Sequence, residues 1–474
     1  MSRINTNVSA IQTVHKLVTN QLDLNTRLER LSTGLRINRG RDDPAGLIAS
    51  ETLRSEMRGI SQAIDNSQRT INVISTAEGA LNEVSSLLLD LRSLINHAAN
   101  QGAIGGEELQ ADQLQIDSIL EAIDRIANTT QFGGEKLING NFEYSVSGMV
   151  ASSIAAARIF GARVPPNSAA GVVVEVVQSA LTAQVAFNGS AIGSSNVTIE
   201  LSGRKGIEVL SFAAGTGASS IVKAINANSL TTGVSATISG TGSTTAILIN
   251  SQDYGADAFV SVKPIDGTFI VGTGSTSQDS GRDAGVLING QTASVSGLVA
   301  SLRSNGLDLQ LHLTADRGTT LGSSEFQITG GGAIFQIGPT VNANGQVSIG
   351  IPSVATSNLG NPVVGYLNTI KSAGSNAVIA GNYQRAEEIL EESISQVAVL
   401  RGRLGGLQRN QIETNMNSQR VALENVTAAE SSIRDADFAV ETAALTRAQV
   451  LLQSTTSVLG IANSMPQYAL SLLQ

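Results

Sequence analysis

MRGISQAIDNSQRTINVISTAEGALNEVSSLLLDLRSLINHA, Met57–Ala98, carries its aliphatic side chains on a seven-residue repeat. Met57, Ile60, Ile64, Ile71, Ile74 and Leu81 hold one register, and after a one-residue shift Val84, Leu88, Leu91, Ile95 and Ala98 continue it. A stripe this narrow and this long is a coiled-coil seam. It cannot be buried by its own helix, so a partner helix is required.

Toward the N-terminus, Ile4, Val8, Ile11, Val18 and Leu22 keep a three-and-four spacing, and Leu24, Leu28, Leu31 and Leu35 resume it after a phase slip. Toward the C-terminus a shorter helix is expected from Glu107 to Asn128, with Leu109, Leu114, Ile116, Ile119, Leu120, Ile123 and Ile126 on its apolar side. The far end of the chain repeats the pattern with Ile389, Leu390, Ile394, Val397, Leu404, Leu407 and Ile412, then Val421, Val426 and Ile433. Gly402, Gly405 and Gly406 weaken that stretch, each by about 1 kcal/mol relative to alanine. No proline falls between Pro44 and Pro165 or between Pro362 and Pro466, so both arms are free to be helical. The simplest arrangement packs the two arms on one another as an antiparallel bundle.

Between the arms, glycine and β-branched residues crowd together and charges thin out. Runs such as Gly-Thr-Gly-Ser-Thr-Thr (240–245) and Gly-Thr-Gly-Ser-Thr-Ser (272–277) punctuate short alternating segments, which reads as β structure. The expected fold is α+β: a long helical coiled-coil bundle formed by both termini, with a β-rich domain inserted at its far end, where insertions cost least.

Composition narrows the function. The 474 residues carry 30 basic and 39 acidic side chains, a net charge of −9, which argues against nucleic-acid binding. There is no cysteine, which removes thiolate metal sites, disulfides and cysteine nucleophiles, and there are only three histidines. His15, His97 and His312 lie far apart in sequence, form no ligand pair and read as ordinary surface or groove residues. The adjacent carboxylates Asp42 and Asp43 precede Pro44, and Asp43 reads as a helix N-cap rather than half of an acid–base pair. Asp435 and Asp437 likewise read as helix-start charges. The glycine runs lack the lysine of a phosphate loop. The triplets at Asn188, Asn196 and Asn425 satisfy the glycosylation pattern, which matters only where a suitable transferase exists. Neither a catalytic centre nor a metal or other cofactor is expected.

No apolar run is long enough to span a bilayer, so no membrane insertion is expected. The opening Met1-Ser-Arg-Ile-Asn-Thr-Asn-Val8 lacks the apolar core of a secretory signal. An exported chain is therefore expected to leave without a cleaved leader. After Arg447 no charge follows, and Val450, Leu451, Leu452, Val458, Leu459, Ile461, Leu470, Leu472 and Leu473 alternate with polar residues. Such an end is too polar for lipid and too apolar for water, so it calls for a protein partner. With Ile4, Val8 and Ile11 at the other end, each copy offers a surface that further copies can bury. An interface that repeats without closing makes a filament.

The residues that carry a resemblance are Leu31-Ser-Thr-Gly-Leu-Arg-Ile-Asn38, Asp42-Asp-Pro-Ala-Gly-Leu47, Thr76-Ala-Glu-Gly-Ala-Leu-Asn-Glu83, Arg434-Asp-Ala-Asp-Phe-Ala439 and Gln467-Tyr-Ala-Leu-Ser-Leu-Leu473. In this order they closely resemble bacterial flagellin. The resemblance implies a structural, non-enzymatic subunit of the extracellular flagellar filament, serving swimming motility. Its implied partners are other copies in a homopolymer, an export chaperone and the flagellar secretion apparatus, and the filament cap and hook-junction proteins. The alternative is the hook–filament junction protein, which shares the helical ends. The implied division is 1–43 with 434–474 as a terminal helical core domain, 44–148 with 333–433 as a helical bundle domain with a β-hairpin, and 149–332 as a variable outer domain. Phe142–Gly148, Ile334–Gly338 and Gln346–Gly350 resemble the hairpin elements of the second domain. Asn196–Leu201, Ile207–Phe212, a helix around Ile221–Asn226, Val234–Ile238 and Ala246–Asn250 resemble a small repeat of filament and cap proteins, and Val286–Gly290 opens a degenerate second copy.

The polymerisation residues implied are Ile4, Val8, Ile11, Val18, Leu22, Val458, Leu459, Leu470, Leu472 and Leu473, and the free monomer is expected to have frayed ends. One segment departs from the family pattern. Where some flagellins carry a Gln-Arg pair followed by Val-Arg-Glu-Leu, recognised by an innate immune receptor, this chain has Leu88-Leu-Asp-Leu-Arg-Ser-Leu94. Leu89 and Asp90 replace a polar and a basic residue, with Arg92 and Leu94 following, and weaker receptor activation is expected.

Overall fold

A computed structural model describes residues 6–164, 168–240, 245–269, 277–304 and 306–471. The two ends are helical and the middle is β-rich. The helices are α1 (Val8–Thr33), α2 (Pro44–Ala98), α3 (Gly106–Thr129), α4 (Ala218–Ala227), α5 (Ser229–Thr232), α6 (Ala315–Thr319), α7 (Tyr383–Leu407), α8 (Thr414–Arg434) and α9 (Phe438–Ser471). The chain divides into two compact units: residues 1–68, 336–345 and 412–474 form one, and 69–335 with 346–411 the other.

The α2 seam differs from its sequence reading. Buried positions run Ile60, Ala63, Ser67, Thr70, Ile74, Ala77, Leu81, Val84, Leu88, Leu91, Ile95 and Ala98 in unbroken alternation of three and four, with no register shift. The aliphatic pattern alone skipped the small and hydroxyl residues that complete it. Ser67 fits because its Oγ donates to the carbonyl of Ala63 at 2.8 Å, so its burial strands no polar group. Asp43 caps α2 as expected, accepting from the Gly46 N–H at 2.9 Å. A Cβ on Gly46 would lie 2.5 Å from that carboxylate and 2.7 Å from buried Ile37, which fixes the glycine there.

In the first unit α1 and α9 pair, and the 336–345 loop rests on α2, with the Pro339 carbonyl oxygen 3.1 Å from where a Gly59 Cβ would stand. In the second unit α3 clamps the connection that leads into α7. Gln113 exchanges hydrogen bonds with Ile370 and Ile379, Asp117 accepts from Ser372, and Asp124 accepts from Thr356 and Lys371.

The β-rich middle holds two cores. In the first, the antiparallel sheet Gln291–Thr292, Gly285–Ile288, Ala170–Gln178, Gly322–Gly331, Tyr144–Ser147 shares its buried residues with the sheet Ser294–Ser296, Val299–Arg303, Leu307–Leu313, Ile154–Ala162. Tyr144–Ser147 therefore pairs within this sheet, whereas Ala333–Gln336 and Gln346–Ile349 form a separate two-stranded hairpin. Val286–Gly290 forms a strand and turn of the five-stranded sheet. Asn289 and Gly290 both have positive φ, 50° and 75°, the two-residue turn that right-handed strand twist favours.

The second core joins Gln184–Asn188, Ala246–Ser251 and Val234–Ser239 to Gln278–Ser280, Phe259–Asp266, Val197–Gly203 and Ile207–Phe212, with α4 packed between them. Most of the turn runs at 240–245 and 272–277 lies outside the described residues. Ile221 on α4 is fully buried in this core. Ile221→Ala should cost about 2–5 kcal/mol, read as faster amide exchange confined to 184–280 while α2 keeps its protection.

Candidate self-assembly interface

The α1–α9 pair is antiparallel. The Asn7 side-chain amide donates to the Ala462 carbonyl at 2.6 Å, Asn20 donates to Thr455 Oγ1 at 2.8 Å, and Arg27 reaches Glu441. On α1 the covered positions are Ala10, Thr13, Leu17, Asn20 and Leu24; on α9 they are Leu445, Ala448, Leu452, Thr455, Leu459 and Ala462. Both sets again follow strict three-and-four spacing. Half of the seam is small or polar, which lets the two backbones approach.

The consequence falls on the other faces. Val8, Ile11, Val18 and Leu22 are 50%, 52%, 52% and 62% exposed, and Val458, Ile461 and Met465 on α9 are exposed as well. The stripe expected from the N-terminal sequence thus points away from the intramolecular partner, and Leu17, half-buried beside it, occupies the seam. Leu459 is half-buried in the same seam, unlike Val458. Ile4, Leu472 and Leu473, and the side chain of Leu470, lie outside the described residues.

One ionic cluster locks the pair. Glu441 is buried and accepts from Arg27 at 3.0 Å and Arg30 at 3.1 Å. Burial alone would push its carboxyl up, but the hydrogen bonds and charges of Arg27 and Arg30 outweigh that and hold it below the usual carboxylate range. Next to the lock, the two interhelix connections are stitched together. Leu35 and Asp435 form an antiparallel bridge, the Arg36 N–H donates to the Arg434 carbonyl at 2.7 Å, and the Ala436 N–H donates to the Gly34 carbonyl at 2.9 Å. Asp437 caps α9 through the N–H groups of Ala439 and Val440, so it is the helix-start charge expected of it. Arg27, Arg30 and Glu441 were not singled out by sequence reasoning. Their signal was a lone acidic residue on the same three-and-four track as Ala448 and Leu452.

In the other unit, Leu89 and Asp90 are exposed on α2, Leu94 is half-buried, and Arg92 pairs with Glu387 at 2.9 Å. His97 is an ordinary helix-end histidine whose Nδ1 lies 2.8 Å from Asp112; the hydrogen bond and charge of that carboxylate raise its pKa. His312 departs from the reading as a surface or groove residue. It is buried in the sheet, and burial lowers its pKa. No described helix is long and apolar enough to cross a membrane, and the described residues hold no group of three or more metal-ligating side chains.

The fold is that of an α+β chain whose two ends pair as helices and leave large aliphatics exposed on their outer faces. Family comparisons agree: "Bacterial flagellin N-terminal helical region" matches residues 4–143, "Bacterial flagellin C-terminal helical region" matches 388–473, and "Flagellin hook IN motif" matches 185–247. Flagellin B of Vibrio cholerae is 30% identical over 471 residues, covering 99% of both chains. Flagellin B of Helicobacter pylori is 28% identical over 527 residues, and flagellin of Bacillus subtilis 26% over 473, each covering at least 99% of both chains. The chain belongs to the bacterial flagellin family and is a structural subunit of the flagellar filament. The hook-junction alternative has less support. Among solved structures, hook-associated protein 3 of Legionella pneumophila overlays 81% of the chain and 98% of its own at a TM-score of 0.30 and 13% identity. The D1-D2-D3 domains of the Escherichia coli flagellar cap protein overlay 46% of the chain and 64% of their own at 0.29 and 18% identity. Overlays this loose carry no functional argument.

The lowered Glu441 pKa sets a pH dependence. A carboxyl more acidic in the folded state contributes its stability above the unfolded pKa, and that contribution disappears as pH falls through the folded value. Hydrogen exchange across 8–33 and 438–471 should therefore accelerate below about pH 4. Glu441→Gln should loosen the pair at neutral pH by about 1–3 kcal/mol and flatten the acid response.

Proposed function

We propose that the outward faces of α1 and α9 are the polymerisation surface. Successive copies bury Val8, Ile11, Val18, Leu22 and Val458, with Ile4, Leu470, Leu472 and Leu473 extending the contact, while Leu459 belongs to the intramolecular seam. The observation that carries this is the exposure of a continuous aliphatic face on helices whose intramolecular seam is already closed without it. Burial of such a face stabilises an assembly by about 25 cal/mol per Å² of apolar surface. In the free monomer the thin two-helix pair exchanges rapidly at its ends, and assembly orders it.

In this reading the chain does no catalysis. Residues 1–43 with 434–474 form the terminal domain, 44–148 with 333–433 the bundle domain, and 149–332 the outer domain. The subunit is delivered outside the cell by the flagellar secretion apparatus with an export chaperone. It is added beneath the cap, onto a filament that begins at the hook-junction proteins.

Val18→Lys with Leu22→Lys places charge on the outward face and leaves the seam untouched. Monomer helicity should be retained while elongation of filament seeds, followed by light scattering and negative-stain microscopy, is lost. Removing 448–474 should likewise leave a soluble fragment that cannot elongate; normal growth by either variant would overturn the proposal.

The exposed Leu89 and Asp90 support reduced activation of the innate receptor for flagellin, since Asp90 inverts a charge and Arg92 is engaged by Glu387. Leu89→Gln with Asp90→Arg should raise reporter-cell signalling by purified monomer well above that of the natural sequence. Full signalling by the unmodified chain contradicts this reading.

A further inference from the structure

A cavity of about 780 Å³ lies within the second unit, walled by the strands Ile154–Ala162 and Leu307–Leu313, the segment 352–364 and α7. Its size suits a small ligand. Among its charged lining residues Arg204 and Asp253 pair with each other at 3.3 Å, whereas Arg158, Glu143 and Glu392 form no ion pair among the described residues. Arg158 donates to the carbonyls of Gly360 at 2.8 Å and Asn358 at 3.3 Å, yet forms no ion pair among the described residues. The carboxylates whose charge reaches it are Glu392 and Glu143. One Glu392 oxygen accepts from Gln396 at 2.6 Å. His312, only 6% exposed, also lines the cavity, and its Nε2 has no hydrogen-bond partner.

Charges of both signs, held apart across a partly desolvated space, are costly unless something between them satisfies both. An anion that satisfied Arg158 would meet two carboxylates. A cation would leave the guanidinium unmatched, and a neutral polyol would neutralise neither. A molecule with both charges a few bonds apart matches the set, and a neutral imidazole Nε2 can serve either end of it.

We propose that this cavity binds a small zwitterion of the α-amino-acid class. The ligand's carboxylate meets Arg158, its ammonium meets Glu143 and Glu392, His312 supplies the remaining hydrogen bond, and its side chain lies along Leu298 and Val397. Because the walls come from both the sheet and α7, occupancy ties the outer β structure to the helix and raises resistance to unfolding by mass action. This inference does not depend on how copies of the chain assemble.

The test uses the full chain as monomer, with isothermal titration and thermal melting against each of the twenty free amino acids at constant ionic strength. Acetate, ethylamine and glycerol serve as single-function controls. Saturable binding by at least one amino acid, with a matching rise in melting temperature, is expected, and none with the controls. Glu392→Gln, whose amide oxygen can still accept from Gln396, should weaken binding by about tenfold or more. Glu143→Gln is the second variant if the first does not fold. Failure of all twenty, equal binding by a control, or unchanged affinity in a folded variant overturns the proposal and leaves a water-filled cavity.

Discussion

A seam that repeats every three and four residues admits only side chains that fit between two helix backbones, and here those positions combine Leu, Ile and Val with Ala, Ser, Thr and Asn. That constraint governs both ends of the chain. In α2 it runs unbroken from Ile60 to Ala98, and between α1 and α9 it closes on Ala10, Thr13, Ala448 and Ala462. Small seam residues give little apolar burial per turn, so the α1–α9 pair relies on polar supplements: the Asn7 and Asn20 hydrogen bonds and the buried Glu441 held by two arginines. A pair held this way is specific in register, because shifting it would strand those groups. It is also weak, since the aliphatic residues that would give it strength face outward. The side chains that close the terminal helix pair are therefore different from the aliphatics that the same helices leave exposed.

The β-rich middle follows another rule. It carries two separate cores, each with its own aliphatic interior, and close approaches that only glycine allows. A Cβ on Gly203 would lie 2.3 Å from the Thr232 carbonyl oxygen. Tyr144 closes the first core by exchanging hydrogen bonds between its hydroxyl and the Ala162 backbone, at 3.0 and 3.2 Å. Phe187 and Phe269 stack in the second, at 4.4 Å between ring centroids. Aromatics are few in this chain, and these three are all buried within the two cores.

The helices and the capping role of Asp43 were legible because each rests on local pattern, period and cap chemistry, whereas the strand–helix order of residues 197–251 was legible only through its resemblance to a small repeat of filament and cap proteins. The direction of the N-terminal stripe was not. Counting aliphatics at helical spacing finds the most apolar face, but the intramolecular partner packs on the face of Ala10, Thr13, Leu17, Asn20 and Leu24 instead, because small and polar residues there let the two backbones approach. The same counting inserted a phase shift into α2 that the structure lacks, since it passed over Ser67 and Thr70, which are buried on the seam. His312 and its unpaired neighbours were illegible for a different reason. Arg158, Glu143 and Glu392 are brought together from distant parts of the sequence by sheet register and by the course of α7, and no spacing encodes that.

The one true phase slip lies elsewhere, and its resolution shows how the helical pattern survives it. Along α7 the buried residues Ala386, Leu390, Ser393, Val397, Leu400 and Leu404 keep the three-and-four alternation, which would next place a buried side chain at 407 or 411. The buried residues are instead Ile412 and Met416, one position late. Between them, Gln408–Glu413 adopts a π-helix, a turn that takes up one residue more than an α-turn. The extra residue absorbs the slip, so the apolar track continues into α8 without breaking the helix. Gly402, Gly405 and Gly406 lie just before this turn, where their low helix propensity makes the wider winding less costly. The glycines that look like a weakness in the sequence are thus placed where the helix changes its winding, and the same segment, 411 to 412, is where one compact unit gives way to the other.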